Sequence, residues 1–326
     1  MASNEPKIHH YVPQFYLRRF ASGKSNQLLC YKRGSTEPFL QGVHKAAAET
    51  GFYEVAELDG SITNRIELAL GNFESEIAPL LDPIANGIIP ERKHRLRLAM
   101  FIALQCARTK LSRDQYTATI NAAMNEVVMD GIPSSEDVKA RSASLGKPIT
   151  SAEAQNIFEG LQRGNFMIQQ HPNDHIRMMA GVAEKVAPYF VDRVWMILKS
   201  PGRDFITSDQ PVSIFTPREF QKKFEGVGFA NAVEVYWPVD PETTLLLCVK
   251  DYLKDGVDHD SVITVEDENV IYINDIVAGN SYQWIFQRPG GEDISSILPE
   301  GKTEMGQVNG KPYYLPFRAR RRAKDI

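Results

Sequence analysis

The sequence contains little cysteine. Cys30, Cys106 and Cys248 lie far apart in the chain, and no CxxC pair occurs. This pattern argues against a disulfide framework and against a zinc site built on thiolates, because both need paired or closely grouped cysteines. An odd number of scattered thiols favours a reducing compartment, so we expect a cytoplasmic protein.

Long apolar segments are also missing. The first ten residues contain no apolar stretch of the kind that forms a secretory signal. The most apolar run, residues 96–107, is too short to span a bilayer and contains Arg97 and Gln105. We interpret this run as part of a buried helix and expect no contact with a membrane.

Several functional fingerprints are absent from the sequence. There is no internal repeat, no GxGxxG motif and no GxxxxGK[ST] loop, which argues against a solenoid and removes the usual support for a nucleotide-binding fold. The 37 basic and 41 acidic residues give a formal charge of −4, so overall charge does not indicate a nucleic-acid binder. With 43% apolar and 24% charged residues, the composition is typical of a globular protein with a substantial core.

Hydrophobic periodicity predicts helices in the first half of the chain. Apolar residues recur at steps of three and four between Ile66 and Ile84, which is the pattern of a helix with one buried face. Pro90 is placed to open a second helix. This helix and two later ones are predicted over residues 91–129, 152–169 and 172–186, with a loop over residues 142–151.

Short β-branched and aromatic runs predict strands, most of them after Tyr189. They cover residues 27–31, 51–55, 195–198, 205–207, 212–215, 244–249 and 283–286, and residues 251–268 are predicted to form a loop. Strands that follow a series of helices predict an α+β fold, with a helical first half and an antiparallel sheet in the second half. The predicted regions are an N-terminal arm with short strands, a helical region, a mainly β region packed on the helices and a C-terminal extension with a basic tail, covering residues 1–63, 64–189, 190–290 and 291–326.

An aromatic segment with two adjacent histidines, HHYVPQFYLRRF, occupies residues 9–20. Its aromatic side chains predict that the segment docks on the body of the protein. In a second interpretation, His9 or His10 acts as a general base or metal ligand near neutral pH, while Arg18 binds an anion. The opening HHYVP is also similar to the start of HNH nuclease motifs, although no pair of CxxC knuckles supports that fold.

Four polar residues of the apolar helix fall within an arc of about 80°; these are His94, Arg97, Gln105 and Arg108. A half-buried guanidinium requires a carboxylate or a bound anion, because an unpaired buried charge costs several kcal/mol. Structural pairing of Arg108 and anion binding by Gln105 and Arg108 are both open. Asp209, at the end of the strand FITSDQP, is the best candidate carboxylate for Arg108 or a histidine, although a turn-capping role also explains an aspartate there.

The C-terminal end of the sequence is strongly basic. Five cations face the single acid Asp325 in this tail: Arg318, Arg320, Arg321, Arg322 and Lys324. Such tails are usually solvated, but they also attract nucleic acid or an acidic protein. Nucleic acid or a nucleotide is therefore a candidate partner.

Taken together, the motifs resemble the bacterial family called domain of unknown function 4238. The resemblance rests on HHYVPQFYLRRF at 9–20, LQCART at 104–109, FITSDQP at 205–211 and an Asn-containing segment near 274–280, and it covers roughly residues 8–287. It implies a family and brings no reaction, ligand or cofactor with it. The positions that match the family motifs are His9, His10, Gln14, Arg18, Gln105, Arg108 and Asp209.

These residues favour hydrolysis of a phosphodiester or another anionic ester over redox chemistry, in one pocket formed by the three motifs. In this hypothesis His10 activates water, and His9 and Asp209 hold a divalent metal or orient the base. Arg108 and Arg18 neutralise the developing negative charge. No GxSxG elbow or reactive-cysteine signature supports nucleophilic catalysis instead.

Two alternatives remain open at this point. In the first, Gln14, Gln105 and the arginines bind an anionic ligand without turnover, and the basic tail contacts a partner. In the second, the polar residues only fasten the N-terminal segment to the core.

Overall fold

The computed structural model of the protein describes most of the chain. The described residues are 8–23, 26–35, 37–56, 62–63, 65–132, 134–163, 172–217, 220, 228–229, 231–253, 259–299, 306–308 and 311–313. They form two compact units. The first unit contains the described residues within 1–113 and 172–304, and the second contains those within 114–171 together with 306–308 and 311–313.

The first half of the chain is mainly helical. Its elements are β1 (Ile8–His10), α1 (Gln14–Leu17), β2 (Gln27–Lys32), β3 (Phe39–Gly42), β4 (Ala48–Thr50), β5 (Val55–Ala56), β6 (Ile62–Thr63), α2 (Arg65–Ala85), α3 (Arg92–Ala107), α4 (Lys110–Gly131), α5 (Ser135–Ser144) and α6 (Ser151–Gln162). The rest of the chain contains α7 (Pro172–Val191), β7 (Val194–Lys199), β8 (Thr207–Ser208), β9 (Ser213–Phe215), β10 (Glu234–Asp240), β11 (Thr243–Cys248), β12 (Ser261–Thr264), α8 (Asp267–Asn280), β13 (Trp284–Gln287), β14 (Gly306–Val308) and β15 (Lys311–Tyr313).

A five-stranded sheet forms the centre of the first unit, in the order β12-β7-β11-β10-β9. Its neighbours are antiparallel except for the parallel pair β12 and β7. Trp195 and Ile197 of β7 pack in the same core as α2, α3 and α7, whereas Met196 and Leu198 pack with α8. Both faces of the sheet are therefore buried, which explains why its strands are continuous apolar runs instead of alternating patterns.

A second sheet in this unit has the order β3-β2-β13-β8, with all neighbours antiparallel. It combines strands from both ends of the first unit's sequence. Asn274 of α8 fastens β8, because its Oδ1 accepts from the backbone N–H of Ile206 at 3.0 Å and its Nδ2 donates to the carbonyl of Asp204 at 2.9 Å. The Asn-containing segment of the sequence thus has a structural role in placing the 205–211 motif.

The α+β prediction is confirmed, with most helices in the first half and mainly antiparallel sheets in the second. The division at residues 63, 189 and 290 stays a prediction, although the boundary between the compact units falls inside α4, after Arg113. None of the helices in the described part of the chain is long and apolar enough to cross a membrane.

The single helix predicted over 91–129 is wrong, because the chain forms α3 and α4 with a break at Arg108 and Thr109. Arg108 closes α3 by donating its backbone N–H to the carbonyl of Leu104 at 2.9 Å. Thr109 then begins α4, since its Oγ1 accepts from the backbone N–H of Ser112 at 3.3 Å in the manner of an N-cap. The break places the polar end of α3 beside the N-terminal motif.

Other local predictions also fail. The strand predicted over residues 51–55 is a turn at 51–53, where Gly51 adopts a φ of 70°, and only Val55 belongs to a strand. The helix α5 extends into the loop predicted over 142–151, and it is capped by Ser134 through the N–H of Asp137. The loop predicted over residues 251–268 is wrong at its end, which contains β12 and the start of α8. β10 is also not indicated by the sequence, because it is buried almost throughout and contains Pro238, so it shows no alternating pattern.

The docking of the N-terminal aromatic segment is confirmed. Tyr11, Tyr16 and Phe20 are buried. The Tyr16 ring stacks on Trp237 at a centroid distance of 5.9 Å, and its hydroxyl donates to the carbonyl of Pro238 at 2.7 Å. The segment is therefore held by the central sheet through both apolar and polar contacts.

Replacing Tyr16 with Phe tests this polar contact. We expect the free energy of unfolding to fall by about 2 kcal/mol, because the Pro238 carbonyl loses its buried donor. Urea unfolding followed by circular dichroism measures the change, and Tyr189→Phe at an exposed position is the control with little expected change. Equal stability of the two variants would contradict the role of the Tyr16 hydroxyl.

Candidate functional site

The first two family motifs are joined by direct hydrogen bonds. Gln105 donates from Nε2 to the carbonyl of Tyr11 at 2.9 Å, and Arg108 donates from Nη2 to the carbonyl of His10 at 2.8 Å. All four residues are buried. The end of α3 therefore holds the main chain of β1 and the residues that follow it.

The third motif reaches the same region through Gln210, whose Nε2 donates to Oγ1 of Thr109 at 2.6 Å.

Asp209 faces elsewhere, because its carboxylate accepts hydrogen bonds from the backbone N–H groups of three consecutive residues: Tyr282, Gln283 and Trp284. Burial raises the pKa of Asp209 to about 6, although these three donors act in the opposite direction. The predicted pairing of Asp209 with Arg108 or a histidine is therefore wrong. Asp209 instead satisfies the backbone where β13 begins.

Arg108 finds its carboxylate partner on α2. Its Nη1 lies 2.7 Å from Oε1 of Glu74, and its Nε donates to the hydroxyl of Tyr53 at 3.1 Å. Burial alone would lower the pKa of Arg108, but Tyr53 and Glu74 together raise it above the usual value. Arg108 is only 1% exposed, so the structure supports structural pairing of this guanidinium. Sequence reasoning missed Glu74 and Tyr53, although Glu74 lies on the predicted helix where a partner could have been sought.

His9 is held by the turn that carries Tyr53. Its Nδ1 accepts the backbone N–H of Tyr53 at 2.8 Å, and the two rings stack at a centroid distance of 5.9 Å. The ring is 1% exposed. His9 therefore fastens β1 to the turn after β4, and its Nδ1 is occupied by this contact.

His10 retains a ring nitrogen that is not used by the fold. Its Nδ1 lies 3.4 Å from Nε2 of Gln14, and Oε1 of Gln14 accepts from Nη2 of Arg18 at 3.1 Å. Its Nε2 is buried and has no hydrogen-bond partner among the described residues. Burial lowers the pKa of His10 from its usual value, and the backbone of His44 and Val43 acts in the opposite direction. A lowered pKa favours the neutral ring near pH 7, and because the Gln14 amide nitrogen can only donate, Nδ1 then carries the lone pair and Nε2 the hydrogen.

Further buried polar atoms surround the joined motifs. Oε2 of Glu67, Oε1 of Gln105 and Nε2 of His175 are buried without a hydrogen-bond partner in the described part of the chain. Burial raises the pKa of Glu67 to about 7 and lowers that of His175 to about 4. Such atoms are rare in folded proteins and mark places where water or a ligand completes the hydrogen bonding.

A group of ions lies at the start of α4. The Glu49 carboxylate binds Lys110 and lies 2.5 Å from Nη2 of Arg113. Burial acts to raise the pKa of Glu49, but Arg113 and Lys110 together lower it. The Arg113 guanidinium also covers the ring of Phe52 at 4.1 Å, so this group fixes the start of α4 against the residues that follow β4.

Within the described ranges, no group of three or more His, Cys, Asp and Glu side chains is arranged to hold a metal. His9 binds a backbone N–H and Asp209 binds three, so this pair does not form the predicted metal site. The basic residues 318–324 of the predicted partner contact lie outside the described residues.

Replacing Arg108 with Lys tests the three-way contact of the guanidinium. Lysine keeps the charge but cannot bond to Glu74, Tyr53 and the His10 carbonyl at once, so we expect a loss of about 3 kcal/mol in the free energy of unfolding. Urea unfolding measures the loss. Arg97→Lys is the matched control, because Arg97 forms an exposed pair with Glu76 at 3.5 Å on the same helix and should change stability very little. If the Arg108→Lys variant had the free energy of unfolding of the wild-type protein, the planar guanidinium would not be required.

A known protein family matches the part of the chain that contains the three motifs. The family model described as protein of unknown function (DUF4238) matches residues 8–291, which is most of the chain. No curated protein and no solved structure matches the chain. The matched span contains all seven residues of the predicted site, and its three motifs meet at the end of α3. The chain therefore belongs to the DUF4238 family.

Proposed function

We propose that the protein is a hydrolase that acts on a phosphodiester or another anionic ester, with His10 as the general base. The observation that carries this proposal is that Nδ1 of His10 and the exposed guanidinium of Arg18 both lie against Gln14. The amide nitrogen of Gln14 can only donate, so Nδ1 of the neutral ring carries the lone pair and is the nitrogen that accepts a proton from water once water replaces the long contact of 3.4 Å.

Arg18 supplies the charge that recognises an anionic substrate in this proposal. It is exposed, and its Nη2 donates to Gln14, the residue that also contacts His10. A guanidinium bound to the same glutamine as the base favours an anionic ester near the imidazole. Arg108 is unsuited to this task, because its charge is already neutralised by Glu74 in a buried pair.

The proposed reaction needs only these residues and water. Nδ1 of His10 removes a proton from a water molecule, and the water oxygen forms a bond to the central atom of the ester, phosphorus in a phosphodiester, while Arg18 attracts the substrate's negative charge. The bond from that atom to the leaving oxygen breaks with its electron pair on oxygen, and the leaving group takes a proton from solvent. His9 and Asp209 have no role in this reaction, because both are bonded to backbone N–H groups.

Replacing His10 with Asn tests the base. We expect kcat/KM for bis(p-nitrophenyl) phosphate to fall by about 10² to 10⁴, the usual contribution of a general base. His94→Asn, in the first turn of α3 and outside the proposed site, is the matched control and should retain activity. An active His10→Asn variant would exclude His10 as the base, and a wild-type protein that hydrolyses neither this ester nor nucleic acid would favour the non-catalytic alternative.

The pH dependence of the wild-type protein provides a second test of His10. Its pKa is lowered from 6.5, and the ring must be neutral to accept a proton, so kcat/KM should fall only as the pH drops below 6.5. If kcat/KM on the acid side of the profile fell with a midpoint above pH 6.5, a group other than His10 would be the base.

Replacing Arg18 with Ala tests substrate recognition. We expect KM for the same diester to rise about tenfold while kcat changes little, because one charge-assisted hydrogen bond is lost on a substrate that stays in place for the reaction. High salt should reduce the difference between the two proteins. Arg97→Ala is the control for an exposed arginine outside the site, and an unchanged KM in Arg18→Ala would remove Arg18 from the proposal.

Nucleic acid is the second candidate ligand, favoured by the five cations between Arg318 and Lys324. This proposal places the tail on the phosphate backbone, and removing residues 315–326 should then weaken binding of single-stranded RNA or DNA.

The three cysteines are free and buried, which supports our proposal of a reducing, cytoplasmic location.

A further inference from the structure

Gln14 lies between the candidate base and the candidate anion-binding group of the first motif. His10, Gln14 and Arg18 follow one another at intervals of four residues, and on a helix this interval places side chains on one face. α1 begins at Gln14, and Arg18 continues it with a φ of −59° and a ψ of −24°. The side chains of Gln14 and Arg18 therefore meet one helical turn apart, with His10 just before the helix.

The amide of Gln14 is bonded at both ends. Its Oε1 accepts from Nη2 of Arg18 at 3.1 Å, and its Nε2 lies 3.4 Å from Nδ1 of His10. Because an amide group is planar, a bond to its oxygen also fixes the direction of its nitrogen. Arg18 thus holds the N–H group of Gln14 against the lone pair of His10. The contact with Nδ1 is long and joins two neutral groups, so it is weak enough to be replaced.

Arg18 differs from the other arginines of the first and second motifs in its partner. Arg19 and Arg108 each bind a carboxylate. Within the described part of the chain no carboxylate pairs with Arg18, and its guanidinium bonds to the neutral amide oxygen of Gln14. A hydrogen bond between a guanidinium and an anion is about twice as strong as one between neutral groups. An anionic ligand therefore competes with Gln14 for Arg18, whereas a neutral ligand does not.

The charge of Arg18 also reaches the His10 ring. Burial is the largest cause that lowers the pKa of His10, and the charges of Arg108 and Arg18 lower it further. Glu74 already neutralises Arg108. An anion bound to Arg18 would cancel the remaining charge and so make the ring a stronger base.

We propose that Gln14 is a positioning residue that covers Nδ1 of His10 until an anionic group displaces it from Arg18. This inference rests on the proposed function and adds the reason why its substrates are anionic. When an oxygen of the substrate binds the guanidinium, Oε1 of Gln14 loses its donor, the amide turns, and water takes its place on Nδ1. A neutral ester leaves the bond between Arg18 and Gln14 intact, so it meets a covered base.

The test uses a neutral and an anionic ester with the same leaving group: methyl bis(p-nitrophenyl) phosphate, a triester, and bis(p-nitrophenyl) phosphate, a diester. Gln14→Met keeps the length of the side chain and removes the amide. We expect kcat/KM for the neutral triester to rise about fivefold, which is the worth of one neutral hydrogen bond. Damage to the fold lowers activity on every substrate, so a gain separates this role from a structural one.

Arg18→Ala should have opposite effects on the two esters. On the triester we expect kcat/KM to rise about threefold, because Gln14 is no longer held against His10. On the diester we expect the loss of about tenfold that follows from the missing charge. The double variant should gain no more on the triester than Gln14→Met alone, because Arg18 acts on the base through Gln14.

Gln155→Met is the matched control, because Gln155 is an exposed glutamine of α6 whose Nε2 donates to Glu159 at 3.1 Å. It should leave both activities unchanged. Three results would each overturn the role of Gln14 while leaving His10 as the base: a loss on the triester in Gln14→Met, no gain in Arg18→Ala, or gains that multiply in the double variant. Arg18 is exposed, so Arg18→Ala decides the matter even if Gln14→Met is unstable. A wild-type protein inactive on both esters would instead overturn the hydrolase proposal, and the role of Gln14 with it.

Discussion

The polar residues of the first unit depend on one desolvated charge, the guanidinium of Arg108. Removing a guanidinium from water costs several kcal/mol unless each of its donors finds a partner. Its partners come from three separate parts of the chain: Glu74 of α2, the Tyr53 hydroxyl in the turn after β4, and the His10 carbonyl in β1. Satisfying one side chain therefore requires that these parts fold together, and this explains why the N-terminal segment is part of the core.

The position of Arg108 follows from the apolar contacts of α3. This helix packs with α2, α7 and one face of the central sheet, so almost every side of it is buried between Leu98 and Ala107. The helix ends where Thr109 starts α4, and that end presents Gln105 and Arg108 to the main chain of the first motif. The packing of the apolar part of α3 thus determines where its few polar side chains can bind.

The family motifs contain two kinds of polar residue. His9, Arg108 and Asp209 have their polar atoms occupied by backbone groups or by a carboxylate, and these contacts hold the motifs in place. His10 and Gln105 each retain a buried atom without a partner in the described chain. Because a fold gains nothing from leaving such atoms unsatisfied, the second kind is where chemistry is to be sought.

The sequence alone determined the α+β class, the one-sided helix α2, the apolar strands of the central sheet and the family, because these depend on local composition, periodicity and contiguous motifs. It also identified His10 and Arg108 as unusual among apolar neighbours. Only the tertiary structure decided that Glu74, not Asp209, neutralises Arg108, and that Glu67 lies near this pair. The reason is that the partner of a charge depends on the distance between side chains far apart in the chain and on their desolvation. Neither quantity can be read from the order of residues.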